Sequence, residues 1–406
     1  MDLLSALQDR EVQVRAGAAD DAVDDHIPGC VARPVGTGQV ATVLREAHSR
    51  GAVVVVRGHG SKLTFGGVGV APDLLLDLSG CGRLLEHQPG DLIVRVEAGM
   101  PLAALQDAVR GSSQRLGIDE PVPGSTVGGL IATNTSGPRR LHTGTARDLL
   151  IGATVVLAEG TVAHSGGKVV KNVAGYDLGK LMVGSLGTLA VVTEATFRLH
   201  PIPAQGAWVS TTVEAADLEQ LLARLCDTQL APSALEIDWP TEGSITVAML
   251  LEGTTDGVPA RIEAARAEFG VPAAVDDALD WPWHLPAATD GSETLLKLTS
   301  RLGAVAELAS AAHDLGLHVR GAAGSGVLYA GVPASTGVDD LDRMVQDLRA
   351  RAGRQGGAVV VLTAPLEIRR NVDVWGPVNG LPVMQRLKQE FDPGQQLAPG
   401  RFVGDI

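Results

Sequence analysis

Residues 53–67 read VVVVRGHGSKLTFGG. Four consecutive valines form a strand signal, and glycine or serine then fills five of the eleven positions from Arg57 to Gly67. Glycine leaves main-chain N–H groups open to a ligand, and successive N–H groups in a turn make a nest for phosphate oxygens. A Rossmann fingerprint needs GxGxxG opening a helix, whereas Gly58 and Gly60 are followed by SKLTFGG, which continues as loop. Lys62 also lacks the GxxxxG frame of a Walker A loop. Taken alone, the stretch fits an ordinary glycine-rich loop as well as a phosphate cradle.

Two further segments shift that balance: PGSTVGGLIATNTSG (123–137) and VGSLGTLAVVTE (183–194). The first sets Gly124, Gly128, Gly129 and Gly137 among Ser125, Thr126, Thr133, Asn134, Thr135 and Ser136. A flat, heteroatom-rich ring needs close backbone approach at its face and small donors and acceptors at its edge, and these residue types supply both. Three such loops point to a large dinucleotide.

Composition narrows the partners. Lys and Arg number 33 against 47 Asp and Glu, a net charge of −14, the wrong sign for neutralising nucleic-acid phosphates or an anionic membrane surface. Cys30, Cys81 and Cys226 are far apart and show no metal-ligand spacing, so no metal, whether iron–sulfur cluster or structural zinc, is expected on this chain. The start MDLLSALQDREVQV carries acids where a signal peptide wants a basic segment, and no run reaches about 18 apolar residues. A cytoplasmic, reducing compartment is the expectation.

Along the chain, Val40, Val43, Leu44 and Ala47 recur at helical spacing, with Gly51 as a left-handed stop. Strands are expected in 53–57, 74–78, 91–99 and 148–160, and a helix in 101–110. In 188–199, Leu189, Val191, Ala195, Phe197 and Leu199 alternate with Glu194, Thr196 and Arg198, giving one buried face. HPIPAQG (200–206) breaks the pattern. Beyond it, two rounds of strands and helices predict one antiparallel sheet covered by helices. The expected organisation is a first domain over 1–204, a second over 205–375, and a C-terminal helix and tail over 376–406 that returns to the first.

Five ordered strings, VRGHGSKLTFGG, PGSTVGGLIATNTSGPRR, GTARDLLIGATVVLAEGTV, GGKVVKNVAGYDLGKLMVGSLGTLAVVTEATFRLHP and FDPGQQLAPGRF, resemble the FAD-binding flavoenzymes of the vanillyl-alcohol oxidase or PCMH type. Within that family, KNVAGYDLGKLMVGSLGTLAVVTE most resembles the FAD-binding E subunit of bacterial glycolate oxidase. The resemblance implies an α+β fold: a two-subdomain PCMH-type FAD-binding domain plus an antiparallel-sheet α+β cap domain. It further implies that Arg57, Gly58, His59, Gly60, Ser61 and Lys62 wrap the FAD pyrophosphate. Pro123, Gly124, Ser125, Thr126, Gly128 and Gly129, with Asn134, Thr135, Ser136 and Gly137, would line pyrophosphate and flavin. Gly184, Ser185, Gly187, Thr188, Val191 and Val192 would hold the adenosine and ring edge. Members that attach flavin covalently often carry histidine at the end of an RxGGH pattern, where this chain has Ser61, so non-covalent FAD is expected and His59 reads as a loop residue beside the pyrophosphate.

A flavin dehydrogenase of this kind must fix a substrate carboxylate and take a hydroxyl proton, tasks for arginine or lysine and for histidine, tyrosine or a metal-bound group. Related catalytic subunits carry an HxGxGN-type motif where this chain reads VRGAAGSGVLYAG (319–331), and Ala322 and Ala323 cannot ligate a metal. His284, His318 and Arg320 show no ligand spacing. Lys171, Tyr176 and Asp177 fit loop-stabilising hydrogen bonds, and Arg147 and Asp148 an ion pair, better than catalysis; the catalytic group is not identified. The resemblance implies an FAD-carrying subunit of a glycolate oxidase-type complex acting on glycolate or a similar 2-hydroxy acid, with a catalytic flavin subunit and an iron–sulfur subunit as partners and any membrane association through them. Two alternatives stand beside it: a self-sufficient FAD dehydrogenase or oxidase of another alcohol or hydroxy acid, and a non-catalytic assembly subunit.

Overall fold

The computed structural model describes residues 2–167, 176–270, 272–276, 285–286 and 293–406. Strands β1 (Gln13–Ala16), β2 (Cys30–Arg33), β3 (Val54–Arg57) and β4 (Leu74–Asp77) form the first sheet, in the order β1-β2-β4-β3. β2, β4 and β3 run parallel, and β1 lies antiparallel at the edge. The helix Gly36–His48 carries the chain from β2 to β3, burying Val40, Val43, Leu44 and Ala47. Gly51 then reverses it with φ +62°, a conformation that costs glycine little.

The second sheet is antiparallel and links β5 (Leu84–Gln88), β6 (Ile93–Glu97), β8 (Leu150–Val156), β9 (Val162–Gly166) and β10 (Val191–Arg198) in the order β5-β6-β10-β8-β9, while β7 (Gln114–Arg115) pairs with β11 (His200–Pro201). Both sheets share one hydrophobic core that runs from Leu7 to Leu199 and takes in Leu397 of the tail. The start of the segment expected as strand over 148–160 is instead a turn of helix, Ala146–Leu149. There Asp148 accepts from the Thr145 backbone N–H (2.7 Å) in a capping box. Arg147 and Asp148 are therefore not an ion pair.

The remaining strands, β12 (Gln205–Val213), β13 (Ala234–Trp239), β14 (Ile245–Gly253), β15 (Ala274–Asp276), β16 (Thr294–Thr299), β17 (His318–Ala322), β18 (Val327–Val332) and β19 (Ala358–Thr363), make one antiparallel sheet in the order β15-β12-β14-β13-β17-β18-β16-β19. The two rounds legible in the sequence are its two halves, joined where β13 meets β17. One face, with Leu235, Ile237, Leu296, Leu298, Val319, Leu328 and Ala330, packs under the helices Ala215–Cys226, Gly257–Phe269, Val305–Asp314 and Val338–Arg354. Period-two alternation sends the residues between them to the opposite face.

That opposite face mixes apolar patches around Trp208 and Leu250 with charged residues, among them Glu252. Arg115 donates twice to Glu252 of β14 (2.7 and 2.8 Å), and Arg139 bridges Glu252 (3.2 Å) and Asp119 (2.5 Å). Burial pushes the Glu252 carboxyl up, but the Arg115 hydrogen bond and the charges of Arg139 and Arg115 reverse this and hold it at about 2. After the helix Leu381–Phe391, the tail crosses to β3: Val54 N–H donates to Gln396 O (2.8 Å) and Ala398 N–H to Val54 O (2.9 Å).

Candidate functional site

Three loops converge at the C-terminal end of β3. Arg57, Gly58, His59, Gly60, Ser61 and Lys62 line a cleft with Thr126, Gly129, Ala132, Thr133 and Leu186. A Cβ on Gly58 would sit 2.3 Å from Thr126 Oγ1, so only glycine lets this loop lie against the second segment. Thr126 caps the short helix Val127–Thr133 by accepting from Gly129 N–H (3.2 Å). The third loop is laced to the far end of that helix: Gly184 N–H donates to Ile131 O (2.9 Å) and Leu186 N–H to Ala132 O (2.8 Å). Gly184 and Gly187 both have positive φ, +83° and +77°.

Individual side chains behave differently from the loops that carry them. The Arg57 guanidinium is taken by Asp77 (2.9 Å) and Asp21 (3.2 Å), so backbone is what this part of the loop offers the cleft. Lys62 donates to Ser125 Oγ (2.5 Å), and burial, opposed by the charge of Glu120, lowers it to about 8. Ser125 also donates to Val122 O (2.6 Å). Pro123 and Gly124 form an exposed turn beyond the cleft lining. Gly128 packs against Ala98, its N–H donating to Ala98 O (2.6 Å). Asn134 ends the helix with φ +49°; Thr135 is buried, and Gly137 closes on Asp119.

Gly184, Ser185 and Thr188 line a neighbouring cleft with Met384, Leu387 and Phe402. Val191 and Val192 line neither cleft. They are core residues of β10, paired with Val156 and Val155. The glycine-rich string runs into the strand without a break, so the sequence reading carried the loop two residues too far. Of the polar residues near KNVAGYD, Lys171 lies outside the described residues, Tyr176 is exposed, and Asp177 stands 3.8 Å from Lys180.

A smaller, narrow cavity opens between the second loop and the large sheet. Ser136, Gly137 and Arg140 line one wall, and Glu236, Arg320, Ala322 and Tyr329 the other. Register explains the second wall: Asp238 pairs with Arg320, Arg320 with Tyr329, and Tyr329 with Lys297, a row across four strands on the face away from the helices. Asp238 accepts from Arg320 (2.9 Å) and lies 2.7 Å from His318 Nε2, so these two residues, unremarkable by spacing, meet on one carboxylate. Glu236 is 2% exposed with Oε1 unpartnered, and burial holds its carboxyl well above the usual range. Burial and the charge of Arg140 lower Lys297 to about 8. Arg140 makes no ion pair among the described residues, although its charge reaches Glu236, Lys297 and Tyr329. The sequence signal was available in charged residues set within the apolar strands ALEID and TLLKL. His284 lies outside the described residues.

The bare amides of the glycine loops line a cleft that a diphosphate would complete, and beyond its lining Asn134 Oδ1 and Ser136 Oγ are buried without a hydrogen-bond partner. Residues 28–166 match the FAD binding domain family. The region of that match has the architecture of a PCMH-type FAD-binding domain, with a separate antiparallel sheet beyond it. Its cofactor is FAD, and Ser61 in place of a linking histidine fits non-covalent attachment. The FAD-binding domain and the sheet beyond it resemble the solved p-cresol methylhydroxylase in fold, with a TM-score of 0.77 at 16% identity over 98% of this chain and 96% of that one. The chain is 27% identical to glycolate oxidase subunit GlcD of Bacillus subtilis over 93% of its own length and 89% of that subunit. It is 31% identical to glycolate oxidase subunit GlcE of Escherichia coli over 47% of its length and 53% of that subunit. The stronger identity to GlcE is thus confined to about half the chain, while GlcD matches nearly all of it. No helix among the described residues is long and apolar enough to cross a membrane.

Proposed function

We propose that this chain oxidises a small 2-hydroxy acid to the 2-oxo acid. In this reading the glycine loops at 57–62, 126–129 and 184–188 hold FAD, and the smaller cavity takes the substrate. The observation that carries it is the furnishing of that cavity: Arg140, a cation without an ion pair among the described residues, lines it together with the buried carboxyl of Glu236 and the unpartnered Ser136 hydroxyl. Bound FAD supplies the acceptor for the two electrons and the hydrogen leaving the alcohol carbon. The residues do the rest. Arg140 pairs with the substrate carboxylate, Ser136 and Glu236 supply polar partners for its oxygens, and Lys297, which flanks Tyr329 in the same cross-strand row behind the cavity lining, takes the hydroxyl proton in its uncharged form.

The finer reading is that the chain works as the FAD-binding subunit of a glycolate oxidase-type complex, passing electrons to an iron–sulfur partner. Its similarity to both GlcD and GlcE supports this. The alternative reading is a self-sufficient dehydrogenase that needs no partner. Anaerobic titration of the purified chain with glycolate and D-lactate separates the two. Flavin bleaching by the isolated chain supports self-sufficiency. Flavin that stays oxidised until partner subunits are added supports the complex, and flavin unreduced under both conditions contradicts the proposal.

A further inference from the structure

Arg401 stands among the glycine loops although it lies at the far end of the sequence. Its backbone is fixed on both sides: Gly67 N–H donates to Arg401 O (2.9 Å), and Val70 N–H to Pro399 O (2.9 Å). Its side chain is 5% exposed and lines the same cleft as residues 57–62. Nη2 is buried and has no hydrogen-bond partner.

The local charge does not balance. Asp24 is within electrostatic reach of Arg401, but Asp24 is already bonded to Arg369, whose own charge opposes that of Arg401. Two cations and one carboxylate leave an excess positive charge under the cleft. Burial lowers Arg401 to about 10, which still keeps it charged at neutral pH. An enclosed, unpaired guanidinium is expensive unless a ligand supplies the anion. Arg57 is occupied by Asp21 and Asp77, which leaves Arg401 and Lys62 as the cations facing this cleft without an ion pair among the described residues.

We propose that Arg401 is the counter-charge of the FAD diphosphate, delivered to the glycine loops by the C-terminal tail. The adenine, the ribityl chain and the oxidised flavin ring are neutral and offer no charge to match it; the diphosphate does, and it suits the forked donor geometry of arginine. This assignment concerns cofactor capture and is independent of which substrate is oxidised.

The test compares apo-protein titrations with FAD and with riboflavin, followed by flavin fluorescence, in the native chain, Arg401→Met and Arg401→Lys. Arg401→Met should weaken FAD at least tenfold and leave riboflavin unchanged, Arg401→Lys should recover most of the loss, and the midpoint potential of the bound flavin should not move. Melting the apo forms guards against a folding artefact: removing an uncompensated buried charge should leave apo stability unchanged or raised, whereas a merely structural arginine would lower it. Equal weakening of FAD and riboflavin, unchanged FAD affinity, or a shifted midpoint potential at unchanged affinity would each overturn the proposal, the last by placing the charge at the flavin ring.

Discussion

Lys388 and Asp392 form an ion pair 2.7 Å long that is closed off from solvent, with side-chain exposures of 1% and 0%. Nothing in it is left unsatisfied by halves: Lys388 also donates to Thr188 O (2.8 Å) and Leu397 O (2.9 Å), and Asp392 accepts from the Gln396 and Leu397 N–H groups (2.8 and 2.7 Å). One turn of the C-terminal helix thereby holds both the third glycine loop and the tail that carries Arg401. Breaking such a pair leaves one uncompensated buried charge, so Lys388→Met should destabilise the protein by about 3–5 kcal/mol. Chemical denaturation checks this; a loss under about 1 kcal/mol would mean that the site repacks around the remaining carboxylate.

Gly58 should tolerate no side chain. Its Cβ position lies 2.3 to 3.1 Å from three atoms of Thr126, so alanine must push the first loop off the second. Gly58→Ala is expected to weaken FAD binding roughly tenfold or more, about 1.4 kcal/mol, as read by isothermal titration. Unchanged affinity would show that the two loops move apart freely.

Acid should act on the clamp between the large sheet and the FAD-binding domain. Glu252 has its carboxyl lowered to about 2 from an ordinary 4.5, so its stabilisation is fully present above pH 4.5 and is lost as pH falls toward 2. That amounts to at most roughly 3 kcal/mol. Urea unfolding at stepped pH should give a slope in this window that disappears in Glu252→Gln; an identical slope in the variant would assign the acid sensitivity elsewhere.

The substrate reading has its own pH signature. Lys297 accepts a proton only when uncharged, and its value of about 8 means that flavin reduction should accelerate as pH rises through 8. Lys297→Met should lower the rate and flatten the profile. If the variant keeps the same rising limb in stopped-flow reduction, another group takes the proton.

The fold was largely legible because its signals are local. Valine runs, the Gly51 stop and the alternation over 188–199 each appear within a dozen residues. The helix Gly257–Phe269 was not read: its buried residues Val258, Ile262, Ala265 and Phe269 are diluted by exposed alanines and preceded by glycine, so no continuous apolar stripe stands out. The cofactor loops announced themselves through glycine, whose requirement is a property of backbone approach. The substrate side did not, because Arg140 and Glu236 meet only through the packing of one domain on another. Arg401 was harder still: its burial depends on Leu397 and Ala398 bridging back to Val54, more than 300 positions earlier in the chain.

Pre-steady-state reduction of the bound flavin by D-lactate and glycolate, in the native chain and in Arg140→Met with the partner subunits present where the isolated chain is silent, tests the central claim most directly. Rapid bleaching in the native protein, with a much higher substrate concentration needed for half-maximal rate in the variant and an unchanged flavin spectrum, is the predicted result. Equal substrate dependence in the two proteins would contradict it, because the hydroxy acid would then be held somewhere other than the cavity beneath Arg140.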